Sequence, residues 1–180
     1  MPLFSDDEEV YACQASKHHL TFARLITTAI NSMEVYEETR EVPFSPEQMF
    51  DLVSDVESYG EFLPGWHGAT IIERDGEVVF VDQEVGMGRF HTSFVTQAIF
   101  TRPEHIEISS SDGPFLYFAV RWTFERVGES ACLTHFYAGF ELRSRFLERV
   151  AGPFFGDIMR RGVQAFERRA RQLYDLPDRT

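Results

Sequence analysis

Residues 144–174, SRFLERVAGPFFGDIMRRGVQAFERRARQLY, decide the fold. Leu147, Val150, Ala151, Phe154, Phe155, Ile158, Met159, Gly162, Val163, Phe166, Ala170, Leu173 and Tyr174 recur at steps of mostly three and one, the apolar stripe of an α-helix. Glu148, Arg149, Asp157, Arg160, Arg161, Gln164, Glu167, Arg168, Arg171 and Gln172 fall on the opposite, solvent-facing side. Ser144 supplies an N-cap oxygen. Gly152-Pro153 interrupts the pattern, because proline removes a helix hydrogen bond and costs about 3 kcal/mol in an interior position. A kink or restart is therefore predicted there, with the main rod from Pro153 to Tyr174, roughly 30 Å long. Its phenylalanine-bearing face needs a broad apolar partner, and the chain upstream supplies one.

From Trp66 to Leu142 the periodicity changes to two. Strands are predicted over Ala69–Arg74, Val78–Val85, Phe90–Phe100, Ile106–Ser110, Phe115–Glu125 and Ala131–Leu142. Asp75-Gly76, Gly86-Met87-Gly88, Arg102-Pro103-Glu104, Asp112-Gly113-Pro114 and Val127-Gly128-Glu129 separate them as turns. Short turns between strands make an antiparallel meander. Phe118, Val120, Trp122 and Phe124 share one face of their strand, as do Phe136, Ala138, Phe140 and Leu142 of the last. Ahead of the meander, Val35–Val42 reads as an edge strand. Ser45 then caps a helix with Pro46 at its first position and Gln48 closing a capping box. That helix runs to about Ser54, a second short one spans Val56–Phe62, and Pro64-Gly65 ends it. The order is strand, two short helices, six strands and a long helix. It predicts an α+β helix-grip fold, a curved antiparallel sheet around a long C-terminal helix. A sheet curled on one helix cannot close along its whole length, so an apolar cavity near one end is expected.

The 180 residues carry a net charge of −12, distributed unevenly. From Arg143 onward there are nine Lys/Arg and five Asp/Glu, net +4, so the remainder is at −16. That acidity argues against DNA binding. The face bearing Arg160, Arg161, Arg168 and Arg171 is the one surface suited to phosphate, of a lipid headgroup or of RNA. Eighteen phenylalanines exceed what a solid core of this size needs, so some are expected to line the cavity. Residues 1–34 read as an N-terminal extension to a domain spanning 35–176. The extension has an acidic run, Asp6-Asp7-Glu8-Glu9, and a short amphipathic helix pattern from Leu20 to Met33, and is expected to be dispensable for folding. No run of eighteen apolar residues and no basic leader is present. A soluble, cytoplasmic protein is the resulting expectation.

Three stretches carry a resemblance: Pro43-Phe44-Ser45-Pro46-Glu47-Gln48-Met49-Phe50-Asp51-Leu52-Val53, Asp55-Val56-Glu57-Ser58-Tyr59 and Glu61-Phe62-Leu63-Pro64-Gly65. Asp112-Gly113-Pro114-Phe115, Trp122-x-Phe124, Ala131-Cys132, Phe136, Phe140-Glu141 and Ala165-Phe166-Glu167-x-Arg169-Ala170 follow in the same order. Together they resemble the coenzyme Q-binding START-like family, which includes the bacterial ribosome association toxins and polyketide cyclase/dehydrase-like proteins. The resemblance covers about Val35 to Tyr174. Gly60 stands where the family usually has Pro, Trp66 where it often has Cys, Leu116 where it commonly has Lys, and Phe118 where it has Leu. The last three changes add apolar bulk and are expected to alter the pocket. The missing Lys weakens any cationic contact at that point.

No catalytic arrangement stands out. His91, His105 and His135 are isolated in strands and read as structural. Cys13 with His18-His19 matches no standard zinc spacing. Cys132 reads as a buried strand residue, and Asp55 and Glu57 as caps or solvated carboxylates. No catalytic residue, metal site or cofactor is expected. The resemblance implies non-enzymatic binding of ubiquinone or a similar isoprenoid lipid, in support of respiratory electron transport or quinone biosynthesis. The expected ligand wall is Phe62, Leu63, Trp66, Phe94, Phe115, Phe118, Trp122, Phe155 and Phe166. Peripheral contact with the inner membrane would accompany that role. The alternative is a toxin-like protein that associates with ribosomal subunits. A cyclase-type enzyme is a third reading, for which no acid–base pair is evident.

Overall fold

Strand β1, Glu34–Val42, opens the computed structural model, which describes residues 33–87 and 90–175. The expectations for residues 1–32, including the Cys13/His18/His19 set, lie outside the described residues. After β1 come α1 (Pro46–Ser54), a single 3-10 turn at Val56–Ser58 and α2 (Tyr59–Phe62). Six strands follow: β2 (Trp66–Asp75), β3 (Val78–Met87), β4 (Phe90–Thr101), β5 (His105–Ser110), β6 (Phe115–Val127) and β7 (Ala131–Leu142). Helix α3, Arg145–Tyr174, ends the described chain. The seven strands form one antiparallel sheet in the order β1-β7-β6-β5-β4-β3-β2, curved around α3. Residues 43–65 thus connect one edge of the sheet to the other. The expected helix-grip architecture is the observed one.

Local chemistry accounts for the element ends. Ser45 Oγ accepts from the Gln48 amide at 3.3 Å, and Gln48 Oε1 accepts from the Ser45 amide at 2.9 Å, the reciprocal box expected from the sequence. Ser144 Oγ accepts from the Leu147 amide and starts α3. Strand β2 begins three residues earlier than its alternation suggests. A bulge between Trp66 and Gly68 breaks the period there while Trp66 still pairs with Val85. The turn before β6 depends on Gly113, at φ +56°, where an added Cβ would come within 2.9 Å of the Phe94 Cβ.

Helix α3 corrects one of the two expectations at Gly152-Pro153: there is no restart, and one helix runs from Arg145 to Tyr174 with Pro153 inside it. The lost hydrogen bond is tolerated because both flanks are held. The Ser144 cap secures the first turn, and Phe155, two residues past the proline, packs its ring edge on Phe140 at 4.5 Å. The stripe itself is only partly covered. Val163, Phe166 and Ala170 are buried, whereas Leu147, Phe154 and Leu173 are exposed. Amphipathic spacing sets the facing direction of a residue, but whether anything covers it depends on the rest of the fold.

The core lies between the concave face of the sheet and the three helices. Cross-strand pairs build it: Phe118 faces Phe140, Val120 faces Ala138 and Trp122 faces Phe136. Phe44, Met49 and Val53 close the end under α1.

Candidate functional site: an apolar cavity under the long helix

The cavity lies between the sheet and the middle of α3. Its wall is Tyr59 and Leu63 at α2, Trp66 of β2, Gln83 of β3, Ile108 of β5, Phe118, Val120 and Trp122 of β6, Phe136 of β7, and Ile158, Met159, Val163 and Phe166 of α3. The cavity proper is about 70 Å³ and opens into a cleft of about 630 Å³, mouth included. Ligand pockets usually span about 300–1,000 Å³, so the enclosed part is small beside them. No charged side chain lines it among the described residues.

Of the nine aromatic and aliphatic residues expected from the sequence, Leu63, Trp66, Phe118, Trp122 and Phe166 border the cavity. The other four pack behind that wall in two aromatic groups. Phe62 meets Phe166 edge-on at 5.2 Å, and the Arg169 guanidinium lies over the Phe62 ring. Phe94 and Phe115 are 4.9 Å apart and both touch Phe118. Phe155 faces Phe140, not the cavity, which corrects its expected position. Edge-to-face pairs of this kind add about 0.5–1.5 kcal/mol each beyond burial, so Phe62, Phe94 and Phe115 hold the lining rings they touch, and Phe155 braces Phe140.

Two of the departures from the family pattern, Trp66 and Phe118, are on the wall. The third apolar change, Leu116, is exposed and does not border the cavity, contrary to expectation. Gly60 has a separate reason: a Cβ there would sit 3.1 Å from the His67 carbonyl oxygen, so glycine lets α2 lie close on β2.

Sequence reading missed Gln83, a polar residue at 4% exposure. Its parity was the available signal, since Val79, Val81 and Gln83 alternate onto one face of β3. Gln83 Oε1 accepts from the Trp66 indole at 2.7 Å, and Gln83 Nε2 donates to Thr96 Oγ1 at 2.9 Å. Tyr59, at the other end of the wall, donates its hydroxyl to the Val53 carbonyl, and burial pushes its pKa above the ordinary tyrosine value. Cys132 is fully buried, and that burial pushes its thiol up to about 11, so it stays protonated near neutrality. Asp55 accepts from Ser58 Oγ at 2.6 Å, within the short helical turns.

The C-terminal half of α3 is tied down by polar contacts. Arg40 bridges to Glu167 at 3.0 Å, Arg169 to Glu61 at 2.7 Å, and the Tyr174 hydroxyl donates to the Gln48 carbonyl at 3.0 Å. On the outer face Arg160 pairs with Asp157 and Arg171 with Glu167, while Arg161 and Arg168 are exposed. No helix among the described residues is long and apolar enough to cross a membrane.

A curved antiparallel sheet gripping one helix around an apolar cavity defines a START-like protein. The chain matches the family described as polyketide cyclase / dehydrase and lipid transport over residues 42–167, and it belongs to that family. It is 36% identical to the Ribosome association toxin RatA of Vibrio cholerae over 74% of this chain and 92% of that one. It is 27% identical to the Coenzyme Q-binding protein COQ10 homolog B, mitochondrial, of Xenopus laevis, over 89% of this chain and 69% of that one. Among solved structures, a START superfamily protein from Mycobacterium smegmatis aligns with a TM-score of 0.68 at 20% identity, covering 78% of this chain and 99% of its own. The Zhui aromatase/cyclase from Streptomyces aligns at 0.65 and 14% identity, covering 78% and 96%. The fold is therefore shared by enzymes and by binding proteins.

Proposed function

We propose that this protein binds ubiquinone or a similar isoprenoid lipid in the cavity under α3, performs no chemistry on it, and supports its delivery to respiratory or quinone-biosynthetic enzymes. The observation that carries the reading is the wall: aromatic and aliphatic side chains with no charged group among the described residues. Apolar burial contributes about 25 cal/mol per Å², so a ring and several isoprene units bind without an ionic contact. Polyprenyl tails are nearly insoluble in water, which makes a protein carrier useful. The relative named as coenzyme Q-binding supports the same ligand class. The cavity's small volume means that binding opens it, by displacement of α3 or of Met159 and Phe118.

Organic extracts of purified protein, analysed beside native mass spectra, test this. A co-purifying prenylated quinone released on denaturation is the expected result. Empty protein that also fails to take up a short-tailed quinone in titration overturns the reading.

A second reading is association with ribosomal subunits. The printed name of the 36% identical relative favours it, and the exposed Arg160, Arg161, Arg168 and Arg171 face is the surface that would serve it. Salt-sensitive co-sedimentation with subunits, lost when two of these arginines become Glu and unaffected by quinone, supports this second reading over the carrier.

A further inference from the structure

Resting on the carrier reading, we propose that Gln83 is the head-group anchor of the cavity, donating a hydrogen bond to an acceptor oxygen of a neutral ligand. The orientation of its amide follows from its neighbours. The indole N–H of Trp66 can only donate, so the atom 2.7 Å from it is the Gln83 oxygen. The amide nitrogen then faces Thr96 Oγ1 at 2.9 Å, and Thr96 passes its own proton toward the Val81 carbonyl. The chain of donors runs one way, from Trp66 through Gln83 and Thr96 to the backbone.

Counting protons on the wall narrows the donors to two. The Trp66 N–H is used on Gln83, and the Tyr59 O–H is used on Val53. Gln83 Nε2 carries two hydrogens, of which Thr96 takes one. The second is unspent, on a residue 4% exposed; the indole N–H of Trp122 is the other donor on the wall, and of the two the Gln83 amide is the one whose direction its neighbours fix. A buried donor gains most from a partner that enters with the ligand. With no cation on the wall, a carboxylate or phosphate would be buried without a counter-charge, which is strongly unfavourable. A carbonyl or ether oxygen on an uncharged ring meets the requirement, and a pure hydrocarbon leaves the donor unused. Trp66 and Thr96 are positioning residues that fix which way the amide points.

The test compares two probes delivered from cyclodextrin, decylubiquinone and decylbenzene, titrated calorimetrically into wild type, Gln83→Leu and Gln83→Met. Decylubiquinone is expected to bind about tenfold more weakly to both variants, with decylbenzene affinity unchanged. Equal losses for both probes, or no loss for either, overturn the assignment. Since both variants strand the Trp66 N–H, a readout on unmodified protein accompanies them: the infrared carbonyl stretches of isotope-labelled decylubiquinone. One stretch is expected to shift down on binding to wild type and equally to Trp122→Phe, whereas two unshifted stretches, or a shift lost in Trp122→Phe, overturn the anchor whatever the Gln83 variants do. Wild-type protein that binds the quinone while failing these tests removes the anchor and leaves the carrier reading standing. Wild-type protein that binds neither probe removes both.

Discussion

The two halves of α3 are held by different means. From Val163 on, the helix buries Val163, Phe166 and Ala170, and is pinned by Arg40–Glu167, Arg169–Glu61 and the Tyr174–Gln48 hydrogen bond. Phe166 alone meets Tyr59, Phe62 and Trp122 at 5.2–5.3 Å. Before Gly162 the main aromatic attachment is Phe155 on Phe140, while Phe146 is 72% and Phe154 59% exposed. The cavity lies at the junction, lined by Ile158 and Met159 on one side and Val163 and Phe166 on the other. The C-terminal half carries more of the buried aromatic contacts and cross-element ion pairs, whereas the N-terminal half meets β1 and β7 mainly through Phe155 and Arg160.

Three substitutions test that division. Phe166→Ala should have the largest effect, a loss of about 3–5 kcal/mol in urea unfolding, as for a buried aromatic in a well-packed cluster. A loss below about 1 kcal/mol would mean that the C-terminal half is not the anchor. Phe118→Ala is intermediate. Phe118 is half-buried and already borders empty space. Its truncation should cost well under 3 kcal/mol of stability and weaken decylubiquinone binding at least tenfold, about 1.4 kcal/mol. A large stability loss with unchanged affinity would place it in the core instead. Phe154→Ser should change stability by no more than about 0.5 kcal/mol, since surface positions rarely exceed that. Its effect should appear in sedimentation with liposomes, where an exposed aromatic on a helix flanked by Arg145 and Arg149 favours the interface. Unchanged liposome sedimentation would mean that Phe154 makes no membrane contact, and quadruple charge reversal at Arg160, Arg161, Arg168 and Arg171 tests the opposite face separately.

Much of the fold was legible because its signals are local. Side-chain spacing separates a helix from a strand, and the Ser45–Gln48 box and the Ser144 cap are short-range chemistry. The same parity that put Phe118 and Trp122 on one face of β6 also put Gln83 beside Val79 and Val81. A glutamine in an otherwise apolar inward row was therefore detectable in principle. Its significance was not, because Trp66 and Thr96 come from two other strands. Pro153 was misleading for the converse reason. A local penalty of about 3 kcal/mol predicted a kink or a restart, and the restart is absent where the cap at Ser144 and the packing of Phe155 hold both flanks.

The sequence by itself determined the order of elements, their caps, the inward faces of the strands and the apolar character of whatever the sheet encloses. Only the tertiary structure decided which aromatics meet empty space. Phe155 and Phe118 are alike in composition and pattern, yet one rests on Phe140 and the other borders the cavity. Periodicity reports the direction in which a side chain points, which is a property of its own backbone. A cavity forms where the curvature of seven strands and the line of one helix diverge, and that distance is set jointly by residues far apart in the chain.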